Sequence, residues 1–493
     1  MLALGQVEDF GKIDAKDDEL LKDCFEAHPG YAKIRANSRF LVLGRKGTGK
    51  TAICKHLDRE RYDIFTRLRD FADYDWQRHE STTLGGRPSE GWKYLMWLNL
   101  AIMLLQDGST PKSEASERLL DFVEATYGSL DVALNETFDN SRTLRLSRLT
   151  GGVGVGAWGI KAEGGAEFKP EDQPMGRLPF VIRHVNATLK KLVLLASNST
   201  STYNLLFDEL DRDFRRGNEA YLRRLEGLVE AGLEIFRDVR GSGKKIQCRV
   251  FLRTDIFDVL KLPSMKNKIR TDHVVDLDWG RPEFRGTLRS LMEKRFRKAL
   301  GNKAITWDDM FAVQLVGPLG RTTYEFILDH TLLRPRDVIQ FCNGVLGCFK
   351  RRTGSSSAES KFSEEDLISA RQEYGAYLYR EFFDEAEEHF PDLSKYLEML
   401  KAVPVQKFNP EHFDIAYSDW RAALTEGQSA AAILQHLYSL SIIGYRRADS
   451  KYSDERYCFR YMEPDAPFNG AASAFKVHEG IAAFLEQSRG RPT

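Results

Sequence analysis

The stretch Phe40-Leu-Val-Leu-Gly44-Arg45-Lys46-Gly47-Thr48-Gly49-Lys50-Thr51-Ala52 carries the fold reading. Its first four residues are an unbroken apolar run. Such a run, bounded by a turn signal, predicts a strand buried on both faces. The next eight match G-x-x-x-x-G-K-[ST] in full. Glycine lets successive backbone N–H groups curl around phosphate oxygens without a Cβ clash. After the turn, Ile53 and Leu57 are four apart, as on one helix face. The start of that helix would face the same anion. Lys50 then supplies a mobile positive charge to the β- and γ-phosphates, and Thr51 a hydroxyl to Mg²⁺. Arg45, Lys46 and Thr48 complete the expected cradle. ATP and Mg²⁺ are the ligands this chemistry predicts.

A phosphate cradle needs an acid at the end of a neighbouring strand. Leu205-Leu206-Phe207-Asp208-Glu209 meets that need. Asp208 is expected to hold Mg²⁺ and Glu209 to polarise the attacking water. Asp211 and Asp213 read as caps of the next helix. A third strand, Val250-Phe-Leu, ends in Arg253. A cation at that tip suits either a γ-phosphate or a nearby carboxylate, Asp255 or Asp208. In Leu333-Arg334-Pro335-Arg336-Asp337 the proline fits the first turn of a helix. Arg334 and Arg336 then sit near its positive end, where the dipole does not help them. Something anionic must compensate, either a nucleotide or an acid such as Asp337.

The remaining chain is ordered around these segments. Its 493 residues allow two to four domains. We assign 1–80 and 181–280 to a parallel-sheet core and 81–180 to a helical and glycine-rich insertion. A helical lid at 281–350, a polar linker at 351–363 and a C-terminal domain at 364–493 follow. Within them, 324–349 reads as helix, and so do 364–388, 394–402 and 427–440. Strand-like runs at 442–447 and 456–462, joined by a turn at 448–455, complete the order of a winged helix. Residues 151–169 hold seven glycines and read as a thin β-hairpin or a loop.

Lys+Arg and Asp+Glu are 72 each, so contact with a polyanion must come from a local patch. No CxxC occurs, which argues against a zinc ribbon or a disulfide framework. Trp92–Leu105 is the most apolar stretch but is short for a bilayer and contains Lys93 and Asn99, so a buried helix is expected. The N-terminus lacks a basic region followed by an apolar run, which predicts no signal peptide. A cytoplasmic protein without a membrane partner follows.

Taken in order, FLVLGRKGTGKTA, LLFDELD, VFLRTDIF and LRPRDVIQF resemble P-loop ATPases of the additional-strand glutamate division. Within it the chain is most similar to the AAA+ and STAND groups, and more narrowly to a bacterial family with the GRKGTGKTA signature. The resemblance implies an α/β P-loop NTPase core, with Gly44–Thr51 as Walker A and Asp208-Glu209 as Walker B. It implies a first sensor at Arg253 and a second at Arg336, with Arg334 beside it. YSLSIIGYRR (438–447), YCFRYMEPD (457–465) and VHEG (477–480) resemble the winged-helix region that follows the lid. The family's arginine finger is unmarked here, and Arg215, Arg216 and Arg240 are candidates by position alone. A role in bacterial stress signalling or phage defence is also implied.

Gly154-Val-Gly156-Ala-Trp-Gly159 matches G-x-G-x-x-G, but a glycine-rich, poorly helical segment follows, which excludes a dinucleotide fingerprint. Arg281, Arg285, Arg289, Lys294, Arg295, Arg297 and Lys298 form a basic run. A solvated helix face is its default reading, and DNA or the nucleotide of a neighbouring subunit in a homo-oligomer the alternative. Tyr438, Tyr445, Arg446, Arg447, Tyr457 and Arg460 leave a DNA or protein contact open near the wing. The chain therefore reads as an ATP-hydrolysing switch. A DNA-binding or DNA-processing ATPase is the main alternative. A small-molecule kinase and a scaffold with little hydrolysis stand behind it.

Overall fold

Leu41, Val42 and Leu43 are all fully buried, as a strand covered on both faces requires. They form β1 (Leu41–Leu43) in a computed structural model of the chain. It describes all residues except 1–2, 59–63, 72–86, 140–141, 151–159, 162–166, 169–172, 175–177, 199, 212–213, 215–216, 318–319, 355–358, 387–389, 426–427, 448–455 and 487–493. The chain divides into two units. One comprises Gly30–Arg45 and Ile53–Leu277, the other Met1–Pro29, Lys46–Ala52 and Asp278–Thr493.

The first unit is built on five parallel strands. β1 is joined by β2 (Ile64–Asp70), β3 (Thr202–Asp208), β4 (Ile246–Leu252) and β5 (Val274–Asp276), in the order β2-β3-β4-β1-β5. All four pairings are parallel. The three apolar runs read as strands are thus strands of one sheet, and β4 lies between β1 and β3. β1 is followed by α1 (Lys50–Asp58).

The apolar stretch at 92–105 lies within α2 (Pro88–Gln106). It is apolar on every side because it is covered on every side. Trp92, Tyr94 and Leu95 are fully buried and share one core with β1 and β3. The Trp92 indole donates to the carbonyl of Arg224 at 2.8 Å in α3 (Glu219–Ser242). Asn218 caps α3 through the N–H of Tyr221, so the cap expected at Asp211 or Asp213 belongs to Asn218 instead. An asparagine side chain reaches the N–H three residues on from the boundary itself, and Asp211 lies too far upstream. Of the glycine-rich segment, Ile160↔Phe168 and Lys161↔Glu167 pair antiparallel. The glycines at 151–159 and Asp213 lie outside the described residues.

The second unit contains α4 (Arg285–Leu300), then a helix at Thr323–His330, α5 (Pro335–Thr353) and α6 (Glu364–Ala386). The helical segment expected over 324–349 is two helices, and the second begins at Pro335 as the proline predicts. Leu333 takes φ +54°, and Arg334 is extended, as sterics require of a residue before proline. The polar segment 351–363 begins inside α5 and ends beside buried Phe362, which bridges Phe311. Arg352 spans it, pairing with Asp366 and Glu359.

Beyond α6, helices at Leu393–Ala402 and Ala430–Ser439 precede the paired strands Ile443–Arg446 and Tyr457–Cys458. Further elements appear. A helix at Pro410–Trp420, capped by Asn409, was not anticipated. Two strands, Lys407–Phe408 and Phe475–Val477, extend the hairpin to a four-stranded antiparallel sheet. The turn at 448–455 lies outside the described residues. Among the described residues, no helix is long and apolar enough to cross a membrane.

Candidate functional site

In a parallel sheet every strand ends at the same edge, and ligands of such sheets bind at that carboxyl edge. In the first unit the edge carries Gly44 and Arg45 after β1, Arg253 after β4 and Asp208-Glu209 at the end of β3. The N–H of Gly44 still donates to Leu252 on β4 at 3.2 Å, so the chain leaves the sheet just beyond it. Asp208 is buried, 3% exposed. Glu209 takes φ +56°, a region where a residue with a Cβ is strained and where strain gathers at working sites.

Arg253, 8% exposed, points its guanidinium fork at Asp255, with Nε to Oδ1 at 3.0 Å and Nη2 to Oδ2 at 2.7 Å. Its Nη1 is 3.6 Å from Asp211. Asp211 therefore faces a cation.

In the second unit, the glycine loop meets Trp279 and the start of α5. Gly47 and Gly49 take φ +80° and +91°, conformations open chiefly to glycine. Three successive carbonyls of the loop accept hydrogen bonds. Arg334 Nη1 donates to Lys46 O at 2.9 Å, the N–H of Arg336 to Gly47 O at 3.4 Å, and Trp279 Nε1 to Thr48 O at 3.0 Å. In a planar trans peptide the C=O and N–H point opposite ways. Each pinned carbonyl therefore turns the N–H of the next residue, Gly47, Thr48 or Gly49, away from its own partner. Successive backbone N–H groups are what an oxyanion cradle uses. Lys50 and Thr51 open α1 directly behind it.

Arg334 and Arg336 differ in setting. Arg334 is 1% exposed and bidentate to Asp337 at 2.7 and 3.0 Å, with Glu385 at 3.5 Å. Burial alone pulls its guanidinium down, but Asp337 and Glu385 overcome this and hold it well above its ordinary value. Arg336 lies along Gly47, so that a Cβ there would sit 3.0 Å from Arg336 Cβ. Its Nη1 donates to Glu381 of α6 at 2.9 Å, and Lys46 Nζ stands 3.4 Å from the same carboxylate. Acids thus supply the compensation expected for the two arginines. Trp279 and Glu381 were not anticipated. Trp279 stands alone after a strand, and Glu381 is one acid among many on its helix.

The basic run is largely neutralised. Arg281 pairs with Asp278, Arg289 with Glu293 and Asp308, Lys294 with Glu26, Arg295 with Asp18, Arg297 with Glu293 and Lys298 with Asp23. An open cleft of about 590 Å³ near the C-terminal sheet mixes both charges, Arg281 and Arg447 with Asp278, Glu463 and Asp465. Neither is a one-signed surface for a polyanion. Arg240 lies over the Phe236 ring, and Arg215 and Arg216 fall outside the described residues.

Residues 286–382 match the family described as the FunZ-associated C-terminal helical domain, here α4 to the greater part of α6. The chain is also 22% identical, over 491 residues, to the transposon gamma-delta 80.3 kDa protein of Escherichia coli (strain K12). That similarity covers 93% of this chain and 64% of the relative, so the chain spans just under two-thirds of that protein's length. A parallel α/β core and this relative are compatible with a nucleotide-binding, ATPase-like protein.

Proposed function

We infer that the chain binds and hydrolyses ATP and acts as a molecular switch of the AAA+/STAND kind. The observation that carries this reading is the trio of pinned carbonyls at Lys46, Gly47 and Thr48, each of which turns the following N–H away from its partner. The donor set suits Mg-ATP. Backbone amides of 47–49, Lys50 and Arg336 would hold the phosphates, with Thr51 and Asp208 for Mg²⁺. Mg²⁺, when bound, offsets phosphate charge and orients the γ-phosphate. Glu209 would accept a hydrogen bond from an attacking water and so orient and polarise it. Arg253 would report whether a γ-phosphate is present.

The strand order supports the assignment. β4 separates β1 from β3, so the loop strand and the acid strand flank the strand that ends in Arg253. A setting in bacterial stress signalling or phage defence belongs to this proposal. So does a homo-oligomer.

A DNA-processing ATPase is the second reading. The relative's name, a transposon protein, favours it, and the self-paired basic face of α4 weighs against it. ATP turnover by the full chain, with and without double-stranded DNA, separates the two. Lys50→Ala should abolish ATP binding, and Glu209→Gln should retain binding while losing turnover. Unchanged ATP affinity in Lys50→Ala would overturn the nucleotide reading. Stimulation by DNA with a steep salt dependence would favour the second.

A further inference from the structure

Glu381 is a carboxylate where a phosphate-binding loop has no obvious need of one. It is 6% exposed and sits on α6, in sequence far from the loop. Its Oε1 takes a hydrogen bond from Arg336 Nη1 at 2.9 Å and lies 3.4 Å from Lys46 Nζ. Tyr377, one turn earlier, donates to its other oxygen at 3.5 Å. One turn later Glu385 meets Arg334, so a single face of α6 reaches both arginines of the LRPRD segment.

The two arginines are not equally committed. Arg334 is fixed by two carboxylates and a loop carbonyl. Arg336 has Glu381 as its carboxylate partner and keeps 21% of its side chain exposed. Lys46 keeps 28%. Lys46 precedes Gly47 in the chain, and Arg336 packs against it. These are the cations that a triphosphate seated in the loop would draw on, and a single carboxylate already holds them.

Resting on the nucleotide reading above, we propose that Glu381 is an internal competitor of the triphosphate, so that nucleotide binding at the loop and docking of α6 onto it oppose each other. A triphosphate carries several negative charges against one on Glu381. When it recruits Lys46 and Arg336, the Glu381 carboxylate is left buried beside Tyr377 without a cation. That arrangement is unfavourable, and α6 relieves it by moving the carboxylate toward water. The coupling is reciprocal: removing the Glu381 charge must raise nucleotide affinity as much as nucleotide weakens the docking. The C-terminal segment thereby senses the loop through one side chain.

The test uses the full chain and ATP. Equilibrium ATP affinity is compared in wild type and Glu381→Gln, with thermal melting to confirm that both are folded. About tenfold tighter binding by Glu381→Gln is expected. In the wild type, ATP should also increase hydrogen exchange of the α6 amides around 377–386, a readout that stands even if the variant fails to fold. Equal or weaker affinity in a folded Glu381→Gln, or unchanged exchange in α6, overturns the proposal while leaving the nucleotide reading intact. Failure of both proteins to bind ATP overturns the nucleotide reading, and this proposal falls with it.

Discussion

The indole N–H of Trp279 donates to the carbonyl oxygen of Thr48 at 3.0 Å. Both groups are buried, so the bond has no ready substitute in water. Trp279→Phe keeps most of the ring packing and removes the donor. A lost neutral hydrogen bond is worth about 1 kcal/mol. ATP binding should therefore weaken roughly five- to tenfold, with the melting temperature nearly unchanged. Calorimetric titration checks this, and unaltered affinity would remove Trp279 from the cradle.

Gly47 takes φ +80°, and a Cβ there would press on Arg336. Gly47→Ala should cost about 1–2 kcal/mol in backbone strain alone. The variant should also displace Arg336 and lose ATP affinity. Denaturant unfolding and nucleotide binding should both change. A variant that keeps wild-type binding would show that this backbone turn is dispensable.

Arg253 is held by Asp255 and Asp211. Its removal leaves two acids without their cation at the tip of β4. Arg253→Ala should narrow the preference for ATP over ADP, and Arg253→Lys, which cannot fork onto Asp255, should restore only part of it. Affinities for both nucleotides, measured side by side, give the answer. An unchanged ratio removes the sensor role.

His478 is buried. Burial first, and then His330 nearby, pull its imidazole down from the ordinary 6.5 to about 3, against the opposing pull of Glu479. The folded chain thus resists protonation that the unfolded chain accepts. Stability is intact above about pH 6.5 and is lost as pH falls from there toward 3, by about 1.4 kcal/mol per pH unit. At pH 5 the loss should reach about 2 kcal/mol. His478→Asn, which can still cap the N–H of Gly480, should show a shallower decline in melting temperature between pH 7 and 5. Parallel pH profiles of the two proteins would disprove this.

Gly480 follows in the same turn, and a Cβ on it would overlap the carbonyl oxygen of His330 and stand 3.0 Å from Leu378. A backbone oxygen cannot step aside as a long side chain can. Gly480→Ala should therefore destabilise by about 3 kcal/mol, seen as a large drop in melting temperature. A drop of less than a degree or two would mean that the helix at Thr323–His330 yields easily.

The central strands were legible because a doubly covered strand must be apolar along its whole length, as Leu41–Leu43 and Leu205–Phe207 are. The helix break at Leu333-Arg334 was half legible. Pro335 announces a helix start, but the positive φ of Leu333 depends on how the neighbouring segments pack. The helix at Pro410–Trp420 carries its own signals, Asn409 as a cap and Pro410 behind it, which the stronger hairpin pattern nearby obscured. Asp211 looked like a cap, and its real neighbour, Arg253, is 42 positions along the chain.

Residue order alone determined the glycine loop, its lysine and threonine, and the apolar runs that become a parallel sheet, because each rests on neighbours within a few bonds or on one strand's burial. Which indole pins Thr48, and which of many acids closes on Lys46 and Arg336, was decided only once distant segments packed. Those choices depend on which helix face meets the loop, and no local pattern distinguishes Glu381 from the other carboxylates of α6.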